Sequence, residues 1–116
     1  QNKLGLAKID NGSGPVELTS ASVGKMIETA TQKGTGNDLS LTLDYATKTP
    51  GAYPINLATY EIVCSKYKDA AKGKLVKSFL THFVSADVQK SLEALGYAAL
   101  PSSVSAKITA AVAAIG

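Results

Sequence analysis

The stretch that decides the reading is Ile55-Asn56-Leu57-Ala58-Thr59-Tyr60-Glu61-Ile62-Val63-Cys64. It is rich in β-branched and aromatic residues, which fit a pleated strand better than a helix. Apart from Asn56 and Glu61, both of its alternating faces are apolar. A strand with one wet side alternates polar with apolar, so this one reads as a central strand covered on both faces. Such a strand needs hydrogen-bonded neighbours beside it and a packed layer above and below.

Upstream, few neighbours are on offer. Thr47-Lys48-Thr49-Pro50-Gly51 is the strongest break in the chain, reinforced by Pro54. Before it, Leu39, Leu41 and Leu43 alternate with Ser40, Thr42 and Asp44, a β-leaning piece entered from the loop Gly34-Thr35-Gly36-Asn37-Asp38. Thr19 or Ser20 caps a helix predicted to run to about Lys33, with Val23, Met26, Ile27 and Ala30 at helical spacing and Gly34 as its stop. Leu6-Ala7-Lys8-Ile9 and Val16-Glu17-Leu18 flank the turn formers Asp10 to Pro15, two short extended pieces around a turn. Gln1 to Gly5 reads as the last turn of a helix, with Gly5 as C-cap.

Downstream, the chain is helical. Leu75, Val76, Phe79, Leu80 and Phe83 form one stripe, capped near Asp69. Val88, Leu92 and Leu95 form a second, between Ser85 as cap and Gly96 as end. Val104, Ile108, Ala111, Val112 and Ile115 form a third, entered through Pro101-Ser102-Ser103 with the serines as caps. Each stripe needs a surface to cover, and one good strand is not enough. The expectation is that most of the sheet lies elsewhere.

The bulk composition narrows the function classes. The 116 residues are 45% hydrophobic and 18% charged, an ordinary globular profile. The apolar run from Ile108 to Ile115 falls far short of the ~20 residues of a membrane-spanning helix. The opening residues lack the basic and apolar regions of a signal peptide, and with no initial Met the chain is expected to be processed, excised or truncated. Net charge is +3, all twelve basic residues are Lys, and Arg is absent. Arg dominates base-edge readout, so a nucleic-acid binder is disfavoured. The cluster Lys66, Lys68, Lys72, Lys74 and Lys77 reads as a solvated helix face.

Cys64 and His82 are single, too few for an internal disulfide, a structural zinc site or an activated nucleophile with an orienting partner. No metal site, cofactor or catalytic role is expected. Two glycine-rich loops, Gly12-Ser13-Gly14-Pro15 and Gly34-Thr35-Gly36-Asn37, superficially resemble anion cradles. A cradle needs converging N–H donors at a helix N-terminus, whereas Gly34 follows a helix and Pro15 has no N–H. Both read as turns.

Three blocks carry a family resemblance. Pro50-Gly51-Ala52-Tyr53-Pro54-Ile55, running into Thr59-Tyr60-Glu61-Ile62-Val63, resembles a PGxxPI…TYxIV block of phosphate-binding proteins of the PstS family. Leu95 to Val104, containing Gly96-Tyr97-Ala98-Ala99-Leu100-Pro101, resembles that family's GYxPLP ending. Gln1-Asn2-Lys3-Leu4 and then Val16 to Ala30 are similar to the stretch after the family's YAxxNxL helix. Order and spacing agree over essentially the whole chain, which looks most like actinobacterial members.

The resemblance implies an α/β fold, the carboxy-terminal part of a two-lobed type II periplasmic-binding-protein clamp with sheets flanked by helices. Residues 1–50 would belong to the second lobe. Residues 51–116 would supply the last hinge crossing, a strand and the final helices of the first lobe, with the missing sheet in an absent amino-terminal portion. The implied function is extracytoplasmic capture of inorganic phosphate, as a secreted or lipid-anchored receptor, and its delivery to an ABC permease by hinge closure. A surface adhesion or signalling module on the same fold is the alternative. The family's phosphate contacts are an Arg, a carboxylate, hydroxyls and backbone N–H groups lying amino-terminal to this stretch, and none is matched here. Pro50, Gly51 and Tyr53 are therefore the site residues expected of this chain, as hinge candidates. In an exported protein Cys64 is expected to pair with a partner elsewhere, or to be a buried thiol at a strand end.

Overall fold

The computed structural model describes residues 5–116. The helix end expected at Gln1 to Gly5 therefore lies, except for Gly5 itself, outside the described residues.

Two small packed units form, one on each side of the 55–64 stretch. In the first, β1 (Ile9–Asp10) pairs antiparallel with β2 (Pro15–Val16), Ile9 opposite Val16. The helix α1 (Ser20–Glu28) starts at a capping box: Thr19 Oγ1 accepts from Ser22 N–H at 3.1 Å, and Ser22 Oγ accepts from Thr19 N–H at 3.0 Å. Ser22 is buried and its hydroxyl donates to the Glu17 carbonyl at 2.6 Å. Met26 on this helix is fully buried, and Val16, Ala52 and Tyr53 are further buried apolar residues of the unit.

The helix stops at Glu28, five residues before Lys33. Thr29 Oγ1 donates back to the Met26 carbonyl at 2.7 Å, and the chain then turns into β3 (Thr31–Gln32), paired antiparallel with β4 (Leu41–Thr42). Two β-branched threonines with hydroxyls competing for backbone groups weaken the helix there, and the hairpin takes over. The longer alternation around Leu39 to Leu43 is reduced to the two residues of β4, because β3 is equally short.

The second unit holds α2 (Ala70–Phe83), α3 (Ala86–Leu92) with a 3-10 turn over Glu93–Leu95, and α4 (Ser102–Ala113). Asp69 caps α2 through Ala71 N–H at 2.8 Å and Lys72 N–H at 3.2 Å. Gly96 ends the 3-10 turn with φ +87°. Leu80, Val112 and Ile115 are the buried core, flanked by Tyr67, Val76 and Ile108. The helices cross closely at Gly73, where a Cβ would lie 3.2 Å from the Gly116 carbonyl oxygen.

Three expectations change here. Lys77 does not join the solvated face of Lys66, Lys68, Lys72 and Lys74: its ammonium donates to the carbonyls of Ala113 at 2.6 Å and Ile115 at 3.1 Å, closing the end of α4. Ser85 holds the N-cap position of α3 without a side-chain bond. Ser102 and Ser103 lie inside the first turn of α4, whose N-cap is Pro101, so they are not caps.

The expected strand from Ile55 to Cys64 is not a strand here. No backbone partner reaches it among the described residues, and a strand exists only through its ladder. Leu57 is 87% exposed and Ile62 is 95% exposed. The helical stripes are likewise half covered: Leu80 is buried against α4, while Leu75 and Phe79 face outward. The radius of gyration is 16.2 Å, against about 13.4 Å for a compact domain of this length. The surface is 8202 Å², against roughly 5,900 Å² for a monomer of this mass.

Leu80→Ala should destabilise the helical unit by about 2–4 kcal/mol, whereas Leu75→Ala in this chain should change stability by less than about 0.5 kcal/mol. Chemical denaturation of the two variants checks the contrast.

Candidate functional site

The residues singled out as hinge candidates form a tight, well-anchored crossing. Ala52 N–H donates to the Thr49 carbonyl at 3.1 Å, closing a four-residue turn with Pro50 and Gly51 at its centre. Pro50 presets the first central position and Gly51 takes φ +75°, the requirement of a type II turn. A Cβ on Gly51 would also lie 2.9 Å from the Lys25 ammonium nitrogen.

Beyond the turn, Ala52, Tyr53 and Pro54 are buried. Tyr53 N–H donates to the Ser22 carbonyl at 3.0 Å, and its hydroxyl donates to the Ala7 carbonyl at 3.2 Å. Asn11 completes the anchorage: its Nδ2 donates to the carbonyls of both Thr49, at 2.9 Å, and Ala52, at 3.1 Å. The amide thus spans the two ends of the Pro50–Gly51 turn. The sequence reading passed over Asn11, because a run of turn formers accounts for an Asn by local bonding alone.

The first glycine-rich loop spends its N–H groups within itself, and the second is drawn closed around Asp38. The Asp10 carboxylate already accepts from Gly12 N–H at 2.7 Å and Gly14 N–H at 3.0 Å, and Asn11 Oδ1 accepts from Ser13 N–H at 3.0 Å. The second loop is closed by Gln32 Nε2 donating to the Asp38 carbonyl at 2.8 Å and by Ser40 N–H donating to Asp38 Oδ1 at 3.0 Å. That backbone bond from Ser40, helped by the Ser40 side chain, holds the Asp38 carboxyl below the usual aspartate range. An open depression of about 450 Å³ adjoins the crossing, with Glu17, Thr19, Lys25 and Gly51 on its walls. Among its described lining residues the charges are one carboxylate, Glu17, and one ammonium, Lys25, which suits an anion poorly. Among the described residues no cluster of three metal-ligating side chains occurs.

Against this geometry, the relatives are informative. A Mycobacterium bovis BCG protein named phosphate-binding protein PstS3 is 48% identical over 106 residues, covering 90% of this chain and 28% of its own length. A Mycobacterium tuberculosis protein named phosphate-binding protein PstS 2 is 46% identical, covering 97% of this chain and 31% of its own length. A Mycobacterium leprae protein named phosphate-binding protein PstS 3 is 45% identical, with the same coverage. The chain is a sequence homologue of the PstS phosphate-binding proteins. It spans under a third of the length of the relatives it matches. No family model matches the chain, and no solved structure matches it.

The remaining flagged residues stay apart from the crossing. His82 is exposed on α2. Cys64 is a free, exposed thiol, so the buried-thiol expectation does not hold in this chain. Among the described residues no helix is long and apolar enough to cross a membrane.

Gly51→Ala should destabilise the first unit by about 1–2 kcal/mol, since a Cβ at this φ is strained and displaces Lys25; a denaturant midpoint measures it. Asp38 should titrate below its ordinary value of 3.8. Its contribution to the 33–40 loop is then complete above that value and is lost as pH falls through the lower folded value. Carboxyl NMR of a pH series checks both the direction and the window.

Proposed function

We propose that this chain is part of an extracytoplasmic receptor that captures inorganic phosphate between two lobes and hands it to an ABC permease. The observation that carries this is homology at 45–48% identity along nearly the whole chain to proteins named as phosphate-binding. In this reading the chain is the carboxy-terminal segment of a type II periplasmic-binding-protein clamp, either periplasmic or a lipoprotein at the cell surface. Residues 1–50 belong to the second lobe. The crossing through Pro50, Gly51 and Tyr53 leads into residues that complete the first lobe.

Three features of the chain support the reading. The 55–64 stretch has the composition of an inner strand and no ladder partner, as expected when its sheet is made by other parts of the polypeptide. The outward Leu75 and Phe79 give that sheet a helical face to pack on. The glycine-rich loops are closed internally and the chain has no Arg, which leaves the phosphate contacts to the rest of the receptor. Capture and release are then a matter of lobe closure around the ion, a population shift with no covalent step. That agrees with relatives named as binding proteins rather than enzymes.

Calorimetric titration tests the assignment. The full-length polypeptide that carries this chain should bind inorganic phosphate saturably, and the 116-residue chain alone should give no saturable heat. Failure of the full-length protein to bind contradicts the receptor function. Saturable binding by the isolated chain contradicts the placement of the phosphate contacts.

A further inference from the structure

Which bonds turn when the lobes close can be inferred from the anchorage of the crossing, given the receptor function proposed above. Pro50 and Gly51 look like a hinge in sequence, yet every polar tie of the turn runs back into the first unit. Asn11 Nδ2 holds the carbonyls of Thr49 and Ala52, Ser22 holds Tyr53 N–H, and Ala7 holds the Tyr53 hydroxyl. Ala52, Tyr53 and Pro54 are buried there, with Ala52 fully enclosed. Moving Gly51 relative to α1 breaks several of these bonds and opens that core. Next along the chain, Ile55 is exposed, and residues 55–63 form no backbone–backbone hydrogen bond among the described residues.

We propose that the pivot lies just after Pro54, at Ile55–Leu57, and that Asn11 is the positioning residue that locks the Pro50–Tyr53 turn into the second lobe. Two further observations fit. Both polar atoms of the Asn56 amide are enclosed without a hydrogen-bond partner among the described residues, so local bonds do not hold this side chain in place. The two units otherwise meet where Gly24 of α1 faces Pro101, next in sequence to the Lys25 that covers Gly51.

The test is residue-resolved amide exchange on the full-length polypeptide, with and without inorganic phosphate, for the native protein and Asn11→Asp. The substituted carboxylate keeps the acceptor for Ser13 N–H but cannot donate to Thr49 and Ala52. Without phosphate, the variant should speed exchange at Ala52 and Tyr53 by about tenfold or more and leave α2 unchanged. Unchanged rates at Ala52 and Tyr53 overturn the clamp. With phosphate, the native protein should change exchange at Ile55–Leu57 and not at Gly51–Tyr53. A phosphate response centred on Gly51–Tyr53 overturns the pivot. Phosphate that leaves every amide unchanged overturns the receptor function and the pivot together, while the ligand-free rates decide the Asn11 clamp on their own.

Discussion

Between Pro54 and Ser65 the backbone makes a single hydrogen bond among the described residues, from Cys64 N–H to the Tyr67 hydroxyl at 3.3 Å; the Tyr60 side chain adds a tie of its own, its hydroxyl accepting from Leu41 N–H at 2.9 Å. Everything else about the architecture follows from that unpaired stretch. With no ladder it cannot present a sheet, so the helices beyond it find only one another, and α2 and α4 close over a core of three buried residues. Before it, the two hairpins and α1 form a separate unit in which Met26 is fully buried. The molecule extends to 50 Å along its longest axis, and its surface exceeds the compact expectation by an amount typical of a substantial protein–protein interface. Leu57, Ile62, Leu75 and Phe79 supply much of the apolar part of it. Isolated exposed apolar residues are common; a run of them on a β-patterned stretch, together with a half-covered helix, is a surface suited to packing against another layer.

How much of this could be read from residues alone depended on whether the decisive contact was local. Thr19, Asp69 and Gly96 act within a few residues of themselves, and the structure places each where the pattern puts it. The hairpin from Thr31 to Thr42 was invisible because Ala30, Thr31 and Gln32 continue a helical spacing; only the pairing with β4 reveals them as extended. Lys77 was read as solvated because its acceptors, the last carbonyls of α4, lie thirty-six and thirty-eight positions away. Ile55 to Cys64 carries a correct composition for a strand and lacks the partner that would make it one.

The crossing shows the same division. Pro50 and Gly51 announce a turn, and a turn is what they form. Whether a turn bends or holds depends on what it is tied to. Here the ties come from Asn11, some forty residues away in sequence, and from the Ser22 carbonyl in the first turn of α1. A Pro-Gly pair is a rigid element when its carbonyls are bonded and its neighbours buried, and the freedom passes to the next exposed residues. The Gly12–Gly14 loop resembles an anion cradle in sequence, yet its N–H groups are spent on Asp10 and Asn11.

The central claim is that these two units do not make a self-sufficient domain until the 55–64 stretch is paired. Differential scanning calorimetry of the 116-residue chain alone tests it most directly. A domain of this size that folds cooperatively absorbs roughly 80 kcal/mol at its midpoint. The account predicts a broad, weak transition with far less heat, and aggregation through the exposed apolar stretch. A single sharp transition carrying the full heat would contradict it.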